Sequence, residues 1–264
     1  MLWLNNGIGL AICLACSTLG FKRVLYFVSL SYALSMGSQA IVFGALFSST
    51  LSGWPLAQVS LVLAYGLRLG SFLLLRARNP GYQKELNQSL ARSDAVNARG
   101  KVAIWMGVSL LYVLLFLPTL LTMAAQAHGA STWSAPFGVA VMAVGLLLEA
   151  AADQQKSRFK AKNAGRFCDV ALYRMVRCPN YLGELTFWFG AWFAAVAAYQ
   201  SATEWILATL GFLYLAGVMI GATRRLEAKR WAEYGSDPAY RRYAATVPVL
   251  IPLIPVYSLR AKAP

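Results

Sequence analysis

Apolar residues group into seven long stretches along the chain, with shorter polar segments between them. A helix needs about 20 predominantly apolar residues to cross the hydrocarbon core of a bilayer, and each stretch is close to that length. The pattern therefore predicts an all-α, polytopic membrane protein with seven transmembrane helices in a single membrane domain, residues 1–264. The predicted spans are residues 3–20, 24–50, 55–75, 102–126, 134–152, 181–199 and 203–221.

The first stretch begins almost at Met1, and no Lys or Arg precedes Lys22. A secretory signal peptide carries positive charge ahead of its apolar core. We therefore expect residues 3–20 to be retained as a membrane span.

Basic residues fall in alternate segments between the predicted spans. Of the 24 Lys and Arg residues, 23 follow the first, third, fifth or seventh span, and only Arg68 lies inside one. Because positively charged loops stay on the cytoplasmic side, the N-terminus is expected outside and the C-terminus in the cytoplasm. The chain is expected to be a multi-pass protein of a bacterial inner membrane.

The composition excludes a soluble or disordered chain. Hydrophobic residues make up 58% of the sequence and charged residues 13%, with a mean hydropathy of +0.53, whereas about a quarter of the residues in soluble domains are charged. The placement of the basic residues on one side of the membrane accounts for the net charge of +14, so no nucleic-acid partner is expected. The expected partner is membrane lipid, and the protein is expected to be a monomer. A Cys/His metal site is not supported, because Cys13 and Cys16 lie in an apolar stretch and His128 is the single histidine.

Charged residues inside a membrane are functional candidates because they are costly to place there. Arg68 lies three residues after Tyr65 in the third span, so the two share a helix face. Arg68 either extends to the cytoplasmic edge of the bilayer or lies beside the Tyr65 hydroxyl and makes it a better acid.

Glu149 and Asp153 share a face at the predicted C-terminal end of the fifth span. The helix dipole disfavours acidic groups at that end, so a compensating partner is expected. That partner is either a cation of the following loop or a ligand that donates hydrogen bonds, such as a ribose hydroxyl or a carboxamide.

Residues 173–184 lead from a strongly basic loop into the sixth span. Pro179 suits the first turn of a helix, Asn180 can satisfy local amide donors, and Glu184 then lies one turn inside, with Trp188 on the same face. This segment is either a solvated basic loop or a site for an anionic, phosphate-bearing cofactor.

The C-terminal segment repeats the basic and aromatic theme. Residues 227–234 have the pattern of an amphipathic cytoplasmic helix, and the apolar, proline-broken residues 247–255 return towards the bilayer edge. The segment is either an interfacial anchor or a cover over a bound cofactor.

Two segments of the chain resemble the steroid 5-alpha-reductase C-terminal superfamily. The first is Arg177-Cys178-Pro179-Asn180-Tyr181-Leu182-Gly183-Glu184 with Trp188, and the second is the tail that contains Glu227, Tyr240-Arg241-Arg242-Tyr243 and Ile251-Pro252. The resemblance is strongest over residues 145–255. It implies a seven-helix, NADPH-dependent reductase. Residues 1–126 would form a substrate cavity, and residues 134–255 would bind the cofactor through the last three helices and the cytoplasmic loops.

Carried over by position, the resemblance implies that Tyr65 polarises a substrate carbonyl, with Gln39 as a second catalytic candidate. The steroid enzymes have an adjacent Gln-Glu pair in an early helix, whereas residues 1–84 here contain no acidic residue. The resemblance also implies a set of NADPH contacts. These are Arg76, Asn79, Glu149, Asp153, Lys160, Arg166, Asn180, Glu184, Trp188, Arg224 and Trp231.

The function expected from this resemblance is reduction of an activated C=C bond in a lipophilic, steroid-like substrate that enters from the bilayer. The alternative is an S-adenosylmethionine-dependent methyltransferase of the isoprenylcysteine type, because those enzymes also have a basic-x-Pro motif. Glu184 after the glycine and Cys178 before the proline favour the reductase. A third hypothesis is a transporter or scaffold without enzyme activity.

Overall fold

The computed structural model describes residues 2–78, 96–163, 165–252 and 254–259, and every regular element in those ranges is a helix. We number the described α-helices α1 to α9 in chain order. They are α1 (Leu2–Ser17), α2 (Val24–Phe27), α3 (Leu30–Leu46), α4 (Gly53–Ala77), α5 (Ala98–Ala127), α6 (Ala135–Lys162), α7 (Pro179–Ala194), α8 (Ala202–Tyr234) and α9 (Pro238–Thr246). Short 3-10 helices cover Thr18–Phe21, Ala171–Arg174 and Val196–Ala198.

Among the described residues, every regular element is a helix and five helices are long and apolar enough to cross a membrane, as expected for a multi-pass membrane protein. They are Val24–Leu46, which contains α2 and α3, and Gly53–Ala77, Ala98–Ala127, Ala135–Lys162 and Ala202–Tyr234. The first and sixth apolar stretches are helical but shorter, and α7, with 16 residues, is about 24 Å long. The count of seven spans and the orientation of the termini stay predictions.

The structure corrects the predicted position of Glu149 and Asp153 in their helix. Helix α6 does not end near residue 152 but continues to Lys162, so neither carboxylate lies at a helix C-terminus. The polar residues from Asp153 onward end the apolar stretch, but the backbone hydrogen bonds of the helix continue through them. The last turn carries Lys160 and Lys162, whose charges the helix dipole favours.

The chain divides into two compact units. The first comprises Met1–Val139 with Ala191–Phe212, and the second comprises Ala140–Gly190 with Leu213–Pro264. In the first unit, α3 and α4 approach closely, because a Cβ atom placed on Gly66 would lie 2.7 Å from the carbonyl oxygen of Ala33. The buried side chain of Gln58 on α4 forms hydrogen bonds to two other helices. Its Nε2 donates to Thr119 Oγ1 of α5 at 3.3 Å and to the Ala191 carbonyl of α7 at 3.4 Å.

The second unit contains the ends of α6, α7 and α8 that lie next to the basic segments, together with α9. The predicted seventh span and the predicted amphipathic helix after it are one continuous 33-residue helix, α8. Helix α9 follows after a tight turn, with Asp237 as its N-cap and Pro238 in its first turn. The C-terminal residues then fold back onto the start of α7.

Candidate functional site

The two catalytic candidates, Tyr65 and Gln39, lie in one buried polar cluster of the first unit. Tyr65 is fully buried, and its hydroxyl oxygen is 3.3 Å from that of Tyr32. The Tyr32 ring stacks on Tyr112 at a centroid distance of 5.0 Å. Gln39 Nε2 donates to the Tyr112 carbonyl at 3.4 Å and to the Ser35 carbonyl at 3.2 Å. Tyr65 and Gln39 are thus joined through the Tyr32–Tyr112 stack.

The other candidates on α4 have different surroundings. The guanidinium carbon of Arg68 lies 5.6 Å from the ring centroid of Phe72, one turn further along the helix. Arg76 is half-buried in the last turn of α4. Asn79 lies outside the described residues.

In the second unit, Glu149 and Glu184 are carried by two helices that cross at glycines. A Cβ atom on Gly183 would lie 2.6 Å from the backbone nitrogen of Glu149 and 2.8 Å from the carbonyl oxygen of Gly145. Conversely, a Cβ atom on Gly145 would lie 2.7 Å from the Gly183 carbonyl oxygen. The α6 and α7 backbones are therefore nearly in contact, a geometry that small residues permit between membrane helices. Both carboxylates are buried beside this crossing, at 4% and 9% exposure.

Three further candidates lie on the same two helices. Asp153 is half-buried one turn after Glu149 on α6, and Asn180 is half-buried in the first turn of α7. Helix α7 begins at Pro179, as predicted. Trp188 is fully buried one turn after Glu184 and packs edge-to-face against Phe187 at 5.0 Å.

Lys160 and Arg166 both have partners inside the second unit. Lys160 Nζ donates to the Arg166 carbonyl at 2.6 Å and to the Tyr234 hydroxyl at 2.9 Å. Arg166 forms an ion pair with Asp169 at 2.9 Å, and 59% of the Arg166 side chain is exposed. Lys160 is thus part of the internal packing, whereas Arg166 keeps most of its surface accessible.

An aromatic cluster of Phe167, Tyr234, Tyr240 and Tyr243 lies next to Lys160, which contacts it through Tyr234. Phe167 stacks on Tyr243 at 5.3 Å and meets Tyr240 edge-to-face at 5.1 Å. Burial raises the pKa of Tyr240 and of Tyr243, so both hydroxyls stay neutral at pH 7. Trp231 joins the cluster through Tyr240 at 6.1 Å and is 37% exposed.

Arg224, the remaining candidate, is exposed on α8. A different arginine, which was not among the predicted site residues, forms a deeply buried ion pair in this unit. Arg177 Nη2 lies 2.7 Å from Glu227 Oε1, and the two side chains are 3% and 2% exposed. The two residues are 50 positions apart, so no local pattern links them. The available signal was that both residues lie in the segments that carry the family resemblance.

Replacement of Gly183 by alanine is expected to destabilise the second unit by about 1–3 kcal/mol. The added methyl group meets the backbone of α6 at 2.6–2.9 Å, and a backbone cannot give way as a flexible side chain can. Thermal unfolding of the purified protein, followed by intrinsic fluorescence, measures the change.

Gly217 of α8 is the matched control, because a Cβ atom there would meet nothing within 4 Å. Gly217→Ala should be neutral or stabilising by about 0.5–1 kcal/mol, since alanine loses less backbone entropy in a helix. Equal stability changes in the two variants would contradict the close crossing.

One comparison with known proteins gives a match. The sequence model of a family described as "Protein of unknown function (DUF1295)" matches residues 26–247, which is most of the chain. Neither the curated proteins nor the solved structures contain a match to the sequence.

Proposed function

We propose that this chain, which belongs to the DUF1295 family, is an integral membrane reductase that uses NADPH to reduce an activated C=C bond in a lipophilic substrate. The family is related to steroid 5-alpha-reductase-like proteins. The observation that carries the proposal is the crossing of α6 and α7, which buries Glu149 in a helix long and apolar enough to span a membrane and Glu184 in the shorter helix α7 packed against it. Buried carboxylates of this kind are costly and usually functional.

The side chains of the second unit fit the chemistry of NADPH. Glu149, Glu184 and Asn180 can accept hydrogen bonds from ribose hydroxyls or from a carboxamide. Exposed Arg224 and Arg166 can pair with phosphates through charge-assisted hydrogen bonds. NADPH, when bound, would supply a hydride to the β-carbon of the enone, and a proton from solvent would complete the reduction at the α-carbon.

In the first unit, the proposal assigns the polarisation of the substrate carbonyl to Tyr65. Its hydroxyl donates to the Tyr32 hydroxyl at 3.3 Å in a fully buried position, and the substrate oxygen would take the place of Tyr32 as the acceptor. A fixed donor in a water-poor site stabilises the negative charge that develops on an enone oxygen without a cost of reorientation. Gln39 donates a hydrogen bond to the backbone carbonyl of Tyr112, whose ring stacks on Tyr32. Gln39 therefore helps to position Tyr32 and, through it, Tyr65.

The proposal is tested by ligand-dependent thermal unfolding in detergent or in nanodiscs. NADPH at tenfold excess over its Kd is expected to stabilise the protein by about 1.4 kcal/mol, whereas S-adenosylmethionine is expected to have no effect. Stabilisation by S-adenosylmethionine and not by NADPH would contradict the reductase and favour the methyltransferase.

A carboxylate variant locates the binding site. Glu184→Gln should reduce the NADPH-induced shift, because the amide carries no charge and offers one acceptor oxygen in place of two. Glu233→Gln is the matched control, since Glu233 lies exposed at the end of α8 in the same unit. Equal shifts in both variants would remove Glu184 from the proposed site.

A further inference from the structure

The described part of the C-terminal tail, residues 247–252 and 254–259, is fixed to the start of α7 by backbone hydrogen bonds. The amides of Arg177 and Cys178 donate to the carbonyls of Pro248 and Val249 at 2.9 and 3.0 Å. The Val249 amide donates to the Val256 carbonyl at 2.9 Å. The tail therefore runs beside residues 177–178 and then folds back on itself.

The side chains of the ion pair Arg177–Glu227 form a second set of hydrogen bonds to the same tail. Arg177 Nε donates to the Val247 carbonyl at 3.1 Å, and its Nη2 donates to the Tyr257 carbonyl. Glu227 Oε2 accepts from the Leu259 amide at 2.7 Å. Because both members of the pair are buried, the tail has a defined position at the level of Glu227 on α8.

The tail presents apolar side chains on two sides. Val249 and Leu250 are buried against Cys178. The other side is open, since Ile251, Ile254, Val256 and Tyr257 are 45%, 46%, 40% and 42% exposed. Several large apolar side chains held on one short, fixed segment are typical of an interaction surface.

The depth of this surface in the bilayer follows from the position along α8 of Glu227, to which the tail is bound. Arg224 and Arg225 end the apolar part of that membrane-spanning helix, and Glu227 lies three residues after Arg224, about 4.5 Å further along the axis. The headgroup layer is about 5–7 Å thick on each side of the hydrocarbon core. Arg225 and the α9 residue Arg242 are both exposed, which matches the negative charge of anionic phospholipids.

We propose that the C-terminal tail is a membrane-binding element that lies in the headgroup layer of an anionic bilayer surface, with Ile251 and Ile254 inserted at the edge of the acyl chains. The Arg177–Glu227 pair is the positioning device that keeps these side chains at that depth. This inference does not depend on the reductase activity.

The depth of the tail can be measured with a fluorescent label. Ile254→Cys and the control Ser236→Cys, in the exposed turn before α9, are made in a Cys16→Ser background and labelled with an environment-sensitive dye. The other three cysteines are buried. The full-length protein is placed in nanodiscs of phosphatidylcholine and phosphatidylglycerol, with a nitroxide lipid as membrane quencher and iodide as aqueous quencher.

The lipid quencher is expected to act at least threefold more strongly on the label at position 254 than on the label at 236, and iodide in the opposite order. In phosphatidylcholine alone, lipid quenching at 254 should fall at least twofold. Equal lipid quenching at the two positions would overturn the insertion. Protection of position 254 from both quenchers would show that protein covers it, and unchanged quenching in neutral discs would overturn the anionic partner.

Discussion

Replacement of Arg177 by methionine is expected to lower the free energy of unfolding by about 3–5 kcal/mol, because it leaves the buried Glu227 carboxylate without its cation. The substitution also removes the donors to the Val247 and Tyr257 carbonyls. The C-terminal tail should therefore loosen from the start of α7 as the unit loses stability.

The measurement is unfolding in a denaturing detergent series, with limited proteolysis to follow the tail. The double variant Arg177→Met/Glu227→Leu should be more stable than the single variant, since a buried ion pair can often be replaced by packed apolar side chains at little cost. Arg242→Ala is the surface control, because Arg242 is exposed on α9, and its effect should stay within about 0.5 kcal/mol.

The stability of the double variant decides between an ion pair and simple packing. If Arg177→Met is destabilising and the double variant is no better, the cost arises from lost packing or lost tail contacts, and the charge pair contributes nothing. An Arg177→Met variant as stable as Arg242→Ala would contradict the whole arrangement. A coupling energy between the two substitutions is the result that supports it.

The helices were predictable because the membrane imposes a simple rule on composition. A stretch of apolar residues near the required length predicts a helix, and Pro179 marks the start of α7 as expected from its fixed φ angle. The end of α6 was mispredicted for a related reason. Apolar composition reports where the bilayer ends, whereas the helix continues for as long as backbone hydrogen bonds form, here to Lys162.

Part of the candidate site was also visible in the sequence. Glu149 and Glu184 stood out as acidic residues in apolar surroundings, and the structure buries both beside one helix crossing. Gly145 and Gly183, which make the crossing possible, were not singled out as packing residues. A glycine is informative only when the backbone that approaches it is known.

The contacts between distant residues were beyond the sequence. Tyr32 lies 33 positions before Tyr65, and Arg177 lies 50 positions before Glu227. Helical periodicity relates residues three or four apart, and it carries no information about which helices pack together. The pairing of Tyr32 with Tyr65 and of Glu227 with Arg177 is therefore visible only in the tertiary structure.

Replacement of Tyr65 by phenylalanine is expected to lower kcat for enone reduction by about 10²–10³, the loss typical of one donor to a developing oxyanion. The ring is retained, so the packing of this fully buried residue should persist. The assay follows NADPH consumption with a 3-oxo-4-ene steroid as the probe and product analysis by mass spectrometry. KM should change less than kcat, because the hydrogen bond to the oxygen strengthens in the transition state.

Tyr199→Phe is the matched control for this variant. Tyr199 is also buried in the first unit, and its hydroxyl donates to the Trp192 carbonyl at 2.8 Å, so the control loses one buried hydrogen bond at a position with no assigned catalytic role. NADPH-induced stabilisation should be the same in both variants, because the proposed cofactor contacts of the second unit are untouched. If kcat falls equally in Tyr65→Phe and Tyr199→Phe, the loss reflects stability, and another group must polarise the carbonyl. A selective fall in kcat with unchanged NADPH binding would separate the chemical role of Tyr65 from both folding and cofactor affinity.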